Sequence, residues 1–83
     1  MTLEEEFNKA VDHTKTLSQR PSNEVLLKLY ALYKQATKGD NIGEKPVEFD
    51  FKAMAKFNAW NSLKGKSSEA AMQEYINLVY SLD

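Results

Sequence analysis

The sequence predicts an all-α protein, a four-helix bundle in which a long loop joins the second and third helices. Apolar residues recur at the three- and four-residue spacing of an amphipathic helix along four segments, and no segment alternates apolar and polar residues as a strand would. With 83 residues and no internal repeat, the chain is expected to form a single domain, residues 1–83.

The first helix should begin at Thr2, because Thr2 and Glu5 match a capping box in which each side chain bonds a backbone N–H group of the first turn. Its apolar residues recur at helical spacing as far as Leu17. We expect this segment to end before Pro21, because the residue that precedes a proline avoids helical backbone angles.

The second helix should start at a cap supplied by Ser22 or Asn23 and run to Gly39, a residue suited to the C-terminal end of a helix. Residues 39–49 then contain Gly, Asp, Asn and Pro without any periodicity, which predicts a loop of about a dozen residues. Loops of that length are often functional.

The third helix should be short, with Asp50 as its N-cap and its end near Gly65. It carries apolar residues on nearly every side, so we expect it to lie between the bundle and something else. Ser67 would cap the fourth helix, which has one apolar face. That face consists of Ala71, Met72, Tyr75, Ile76, Val79 and Leu82.

Composition narrows the classes of function. The formal charge is −1, whereas nucleic-acid binders usually carry a strong basic excess, so no nucleic acid is expected. The chain has no cysteine and one histidine, and no residue stands in a recognisable nucleophile setting, so we expect neither a metal site nor an enzyme. No apolar run approaches the roughly 18 residues that span a bilayer. We therefore expect a cytoplasmic monomer without stable membrane insertion.

The second helix carries two neighbouring apolar stripes, although a bundle helix needs only one. Lys34 flanks the second stripe, and Lys52 and Lys56 lie one turn apart on the third helix. This pattern predicts a pocket for a ligand that is anionic at one end and flat or apolar elsewhere. The stripe could instead pack in the core or dock a partner helix, as in a small protein-interaction module. The second stripe consists of Leu26, Tyr30, Tyr33 and Thr37.

Three longer motifs occur in a fixed order: Tyr30–Asp40, Asp50–Gly65 and Ser67–Ile76. In order and spacing they resemble the acyl-CoA-binding protein family, also called the diazepam-binding inhibitor family, and the resemblance extends from about Phe7 to Val79. It implies the four-helix fold of that family and non-enzymatic binding of medium- to long-chain fatty acyl-CoA. The role implied is that of an intracellular buffer and carrier, without a cofactor and with transient contacts to acyl-CoA-using enzymes.

The resemblance also implies roles for individual residues. The phosphates of coenzyme A, chiefly the ribose 3′-phosphate, would be held by Lys15, Lys34, Lys52, Lys56, Tyr30 and Tyr75. The adenine would be bordered by Val11 and Tyr33. The groove for the start of the acyl chain would be lined by Leu26, Leu27 and Ala55.

Three further residues are interpreted beside this pattern. Trp60 is assigned to packing and not to ligand contact, and His13 is expected to be exposed on the polar side of the first helix. Phe57 stands where many family members have a second tryptophan, which removes an indole N–H and some contact area. That departure predicts looser ligand contact near Phe57.

Overall fold

Four α-helices and one short 3₁₀ helix follow one another along residues 1–82, the part of the chain that the computed structural model describes. No strand occurs in these residues, so the predicted all-α, four-helix architecture is confirmed. The end of the predicted domain, Asp83, lies outside the described residues. The helices are α1 (Leu3–His13), α2 (Asn23–Lys38), α3 (Phe51–Asn61) and α4 (Ser68–Ser81), and the 3₁₀ helix is Thr14–Thr16.

An N-cap side chain accepts a hydrogen bond from the third residue of each α-helix, as the sequence predicts. Thr2 and Glu5 form the reciprocal capping box. Of the two candidates for α2, Ser22 is the cap, because its Oγ accepts from the backbone N–H of Val25 at 3.2 Å. The caps are Thr2, Ser22, Asp50 and Ser67.

The first helix is shorter than predicted. It ends at His13, and Leu17, placed on the helical stripe by the sequence pattern, lies in extended backbone beyond the 3₁₀ helix. The Thr14 hydroxyl donates to the carbonyl oxygen of Val11 at 2.6 Å. Such side-chain bonds to the backbone compete with regular helix and favour a tighter turn. Regular α-helix therefore ends about one turn earlier than predicted.

The end of α3 also differs from the prediction. α3 ends at Asn61 instead of near Gly65, and a turn continues from there to Gly65. Gly65 has φ +92° and Gly39, after α2, has φ +81°. These are backbone angles that only glycine adopts at little cost. Gly39 ends α2 as predicted, whereas Gly65 ends the turn after α3 and not the helix itself.

The core lies between α1, α2 and α4, whereas α3 packs against α2 outside it. No residue of α3 is buried, and Phe51 at its start is 81% exposed. Most residues of α3 are partly buried, against α2 and against the segment that follows α2, where Asn41 Nδ2 lies 3.5 Å from the Phe57 carbonyl oxygen. The core comprises Phe7, Ala10, Leu29, Leu32, Ala36, Ala71, Tyr75 and Val79.

A buried polar network ties the end of α2 to the turn before α4. The Nε2 of Gln35, which is fully buried, donates to Asp40 Oδ1 and to the Lys66 carbonyl oxygen, each at 2.8 Å. Asp40 Oδ1 also accepts from the backbone N–H of Gly65 at 2.8 Å. These two donors lower the pKa of the Asp40 carboxyl below its ordinary value, chiefly through the Gly65 bond.

Two aromatic side chains, Trp60 on α3 and His13 on α1, make further contacts between elements. The Trp60 indole N–H donates to the Gly39 carbonyl oxygen at 2.9 Å, which ties α3 to the end of α2. His13 is half-buried with its ring 5.2 Å from the ring of Tyr80, so the prediction of an exposed His13 is wrong.

Among residues 1–82, no helix is long and apolar enough to cross a membrane.

Candidate functional site

Two pockets adjoin along α2 and share Leu26 and Tyr30 in their walls. The first has a volume of about 330 Å³ and lies between the 3₁₀ segment, α2 and α4. The second has a volume of about 440 Å³ and lies between α2 and α3. The first is completed by Thr14, Leu17, Pro21, Leu29, Tyr33 and Tyr75. The second is completed by Arg20, Asn23, Leu27, Lys52, Ala55 and Lys56.

Two lysines from different helices meet at the Tyr30 ring, at the edge of these pockets. The Nζ of Lys56 lies 5.2 Å and the Nζ of Lys34 lies 5.8 Å from the ring centroid. Lys34 Nζ also lies 5.7 Å from the centroid of the Trp60 ring. Within the described part of the chain neither lysine forms an ion pair with a carboxylate. The aromatic rings stabilise the two positive charges in part, and a bound anion would stabilise them further.

An aromatic cluster forms the side of the first pocket towards the core. The ring of Phe7 stacks on Tyr33 at 5.9 Å and meets the edge of Tyr75 at 5.0 Å. Tyr33 is 40% exposed while Tyr75 is 5% exposed, so Tyr33 offers its free side to the surface. Burial raises the pKa of Tyr75, and its hydrogen bond with Thr14 acts in the opposite direction. The Tyr75 hydroxyl therefore keeps its proton at neutral pH and can donate a hydrogen bond.

Most of the predicted site residues come together at these pockets. Lys34 reaches them through its contact with the Tyr30 ring, and the others line a pocket wall. The predicted residues in the walls are Leu26, Leu27, Tyr30, Tyr33, Lys52, Ala55, Lys56 and Tyr75.

Val11 and Lys15 are the two predicted site residues that line neither pocket. Val11 is partly buried against the core. Lys15 lies on the 3₁₀ helix, where its side chain is 73% exposed and its Nζ is 3.6 Å from Asp12 Oδ1. The early end of α1 accounts for this, because Lys15 no longer continues the helical stripe of Val11.

The segment between α1 and α2 contributes residues that the sequence pattern did not single out. Leu17 and Pro21 line the first pocket, and Arg20 and Asn23 line the second. In the sequence, Arg20 and Pro21 indicate only the end of a helix. A cation two residues before Ser22, the N-cap of α2, is the signal that would have added Arg20 to the site. Within residues 1–82 no group of acidic or histidine side chains could hold a metal ion.

Comparison with known proteins gives the same family over nearly the whole chain. A sequence model described as acyl-CoA-binding protein matches residues 4–79. The acyl-CoA-binding protein homolog of Drosophila melanogaster is 54% identical over 80 residues, which cover 96% of this chain and 93% of that protein. The acyl-CoA-binding protein of Saccharomyces cerevisiae is 55% identical over 80 residues, with coverage of 96% and 88%. The crystal structure of Oryza sativa acyl-CoA-binding protein 2 superposes with a TM-score of 0.92 at 44% identity, over 98% of this chain and 90% of that one.

The similarity also extends to one segment of a larger enzyme. Human enoyl-CoA delta isomerase 2 is 48% identical over 79 residues, which cover 95% of this chain but 20% of that enzyme. The shared segment therefore leaves most of the enzyme without a counterpart in this chain. The family match, the full-length relatives and the structural superposition all agree with the motifs that flank Tyr30 and Lys56. The chain belongs to the acyl-CoA-binding protein family.

Proposed function

We propose that this chain binds medium- to long-chain fatty acyl-CoA esters without changing them chemically, and that it serves as an intracellular buffer and carrier of these esters. The observation that carries the proposal is the convergence of Lys34 and Lys56 on Tyr30 beside a largely apolar pocket. An acyl-CoA ester offers both matching parts, since it has phosphates at one end and a hydrocarbon chain at the other. A surface that only docks a partner helix has no need for the two lysines to meet.

The pocket walls suggest how the ligand is divided between them. Lys34, Lys56 and the Tyr30 hydroxyl hold the ribose 3′-phosphate, and Tyr33 borders the adenine with its exposed side. Lys52 and the Tyr75 hydroxyl contribute further phosphate contacts. The start of the acyl chain lies along Leu26, Leu27 and Ala55. Val11 and Lys15 contribute less in this arrangement, because they lie outside both pocket walls.

The two ends of the ligand contribute similar amounts of binding free energy. A hydrogen bond to a charged group is worth about 1.5 to 3 kcal/mol, so a few of them supply several kcal/mol. Each buried methylene adds about 0.8 kcal/mol, so half of a palmitoyl chain supplies a similar amount. The ester should therefore bind far more tightly than free coenzyme A or free palmitate. Release of the intact ester to an acyl-CoA-using enzyme then needs only a transient contact.

The side chains around the pockets also support the non-enzymatic part of the proposal. The lysines and tyrosines around the pockets act as binding groups, and no cysteine is available as a nucleophile, so we propose a carrier and not a thioesterase. Thr14 has a hydroxyl group in the wall of the first pocket, but this hydroxyl donates its hydrogen bond to the Val11 carbonyl oxygen, so we do not propose it as a nucleophile. The carrier works as a cytoplasmic monomer and needs no cofactor besides the ester that it binds.

Calorimetric titration with palmitoyl-CoA tests the proposal, with coenzyme A and palmitate titrated separately as controls. Tight one-to-one binding of the ester, and much weaker binding of the other two, is the expected result. Absence of heat with all three compounds would remove the carrier function and favour the partner-docking module. Hydrolysis of palmitoyl-CoA by the pure protein would contradict the non-enzymatic part.

A further inference from the structure

Arg20 places a third cation in the wall of the second pocket, beside the end of α2 that is remote from Lys34. Its Nη1 lies 3.4 Å from Asn23 Oδ1, and both residues line the pocket together with Lys52 and Lys56. Within residues 1–82 Arg20 forms no ion pair with a carboxylate. The Asn23 amide oxygen orients the guanidinium but does not neutralise it. The positive charge of Arg20 therefore faces the pocket without a counterion from the described protein.

The spacing along α2 separates this charge from the pair at Tyr30. Asn23 and Tyr30 are seven residues apart and lie on the same face of the helix, which places them about 10 Å apart along its axis. Leu26 and Leu27 lie between them in the same pocket wall. Along its α2 side the pocket thus has positive charge at both ends and an apolar strip in between, and Lys52 lines the pocket from α3. A ligand that uses the whole pocket would have two separate anionic groups.

We propose that Arg20 is a second anion-binding residue, which holds a phosphate of the ligand other than the one between Lys34 and Lys56. The inference rests on the proposed function, because coenzyme A carries phosphate at two places, on the ribose 3′-oxygen and in its diphosphate. With the 3′-phosphate assigned to the lysine pair, Arg20 takes the diphosphate. A guanidinium suits this role, since its planar fork can bind two phosphate oxygens at once.

Calorimetry with palmitoyl-CoA and with its 3′-dephospho analogue tests the assignment. Arg20→Gln should weaken binding of both esters by the same factor, about tenfold or more, because one charge-assisted bond is lost in each case. Lys56→Gln should weaken binding of the complete ester much more than that of the dephospho analogue. Arg20→Lys should recover part of the loss, since it keeps the charge but not the fork. Lys28→Gln is the matched control, because it removes an exposed positive charge from α2 outside both pockets.

The outcomes separate this inference from the proposed function. Unchanged affinity of Arg20→Gln for both esters, with the wild type binding normally, would overturn the role of Arg20 alone. A loss confined to the complete ester would place Arg20 at the 3′-phosphate and would also overturn the assignment. Failure of the wild type to bind either ester would overturn the proposed function, and the role of Arg20 with it. Arg20 is exposed, and urea unfolding of Arg20→Gln verifies that the fold is intact.

Discussion

The ammonium group of Lys56 on α3 lies 5.2 Å from the centre of the Tyr30 ring on α2. Because Lys34 approaches the same ring from α2 itself, the position of α3 decides whether two positive charges or one stand at the pocket edge. α3 has no buried residue and packs mainly on α2, so the site depends largely on that packing surface. The bond from Trp60 to Gly39 and the network around Asp40 hold this surface in register.

The first prediction concerns the lysine pair. Lys34→Gln and Lys56→Gln should each weaken palmitoyl-CoA binding about 10- to 100-fold, because each removes one charge-assisted hydrogen bond worth about 1.5 to 3 kcal/mol. Calorimetry should also show weaker binding of free coenzyme A, whereas palmitate binding should not change. Lys45→Gln in the loop is the control, since Lys45 is exposed and lines neither pocket. Equal affinities of wild type and both pocket variants would contradict the proposed site.

The second prediction concerns the aromatic cluster. Phe7 is 3% exposed and contacts the rings of Tyr33 and Tyr75, so Phe7→Ala should leave a cavity in the core. The free energy of unfolding in urea should fall by about 3 to 5 kcal/mol. Phe51→Ala is the control, because Phe51 is 81% exposed and its removal should change stability by less than about 0.5 kcal/mol. Similar losses for the two variants would show that Phe7 does not belong to the core.

Sequence alone predicts the elements whose signals are local. Each α-helix begins at a predicted cap, since an N-cap needs only a side chain three residues before a backbone N–H group. The sequence did not predict the end of α1, because the Thr14 hydroxyl donates a hydrogen bond to a backbone carbonyl oxygen of the preceding turn. Helical periodicity does not record such a bond. The turn after α3 was missed for a similar reason. Its glycine marks the end of the turn and not the end of the helix.

The candidate site divides in the same way between local and tertiary information. Tyr30 and Lys34 share one helix, so their proximity follows from spacing along α2. The approach of Lys56 follows from how α3 crosses α2, and only the family resemblance could predict it. Arg20 enters the pocket through an irregular segment, and for such a segment periodicity gives no direction. Lys15 lies outside both pocket walls, on the 3₁₀ helix that follows the end of α1 at His13, and helical periodicity does not record that change of helix type.

The third prediction concerns acid stability. Hydrogen bonds from Gly65 and Gln35 lower the pKa of Asp40 in the folded chain, so the unfolded chain binds a proton at a higher pH than the folded chain does. The stabilisation by Asp40 is therefore complete above the unfolded pKa of about 3.9 and is lost as the pH falls through the lower folded value. Asp40→Asn should reduce the slope of unfolding free energy against pH in this acid range. Urea unfolding between neutral and acid pH measures it.

Glu5 supplies the comparison for Asp40. Its pKa is also lowered, first by the bond from the Thr2 backbone N–H within the capping box, so Glu5 adds to the same acid slope. Asp40→Asn should leave the Glu5 part in place, and Glu5→Gln should leave the Asp40 part. An unchanged pH slope in Asp40→Asn would mean that the network around Gln35 does not depend on the Asp40 charge.

The fourth prediction separates two roles of Trp60. Trp60→Phe removes the N–H that donates to the Gly39 carbonyl oxygen at 2.9 Å, so the free energy of unfolding should fall by about 1 kcal/mol. A phenyl ring binds a cation less strongly than an indole does, so Lys34 should also be held less well at the pocket edge. Palmitoyl-CoA affinity should then fall by less than the loss for Lys34→Gln.

A double-mutant cycle shows whether Trp60 acts on the ligand through Lys34. In the Lys34→Gln background, Trp60→Phe should still lower stability, because the bond to Gly39 is lost in either case. It should no longer lower palmitoyl-CoA affinity, since the ammonium group that Trp60 positions is absent. If the affinity loss were instead the same in both backgrounds, Trp60 would contact the ligand directly, and its assignment to packing would be wrong.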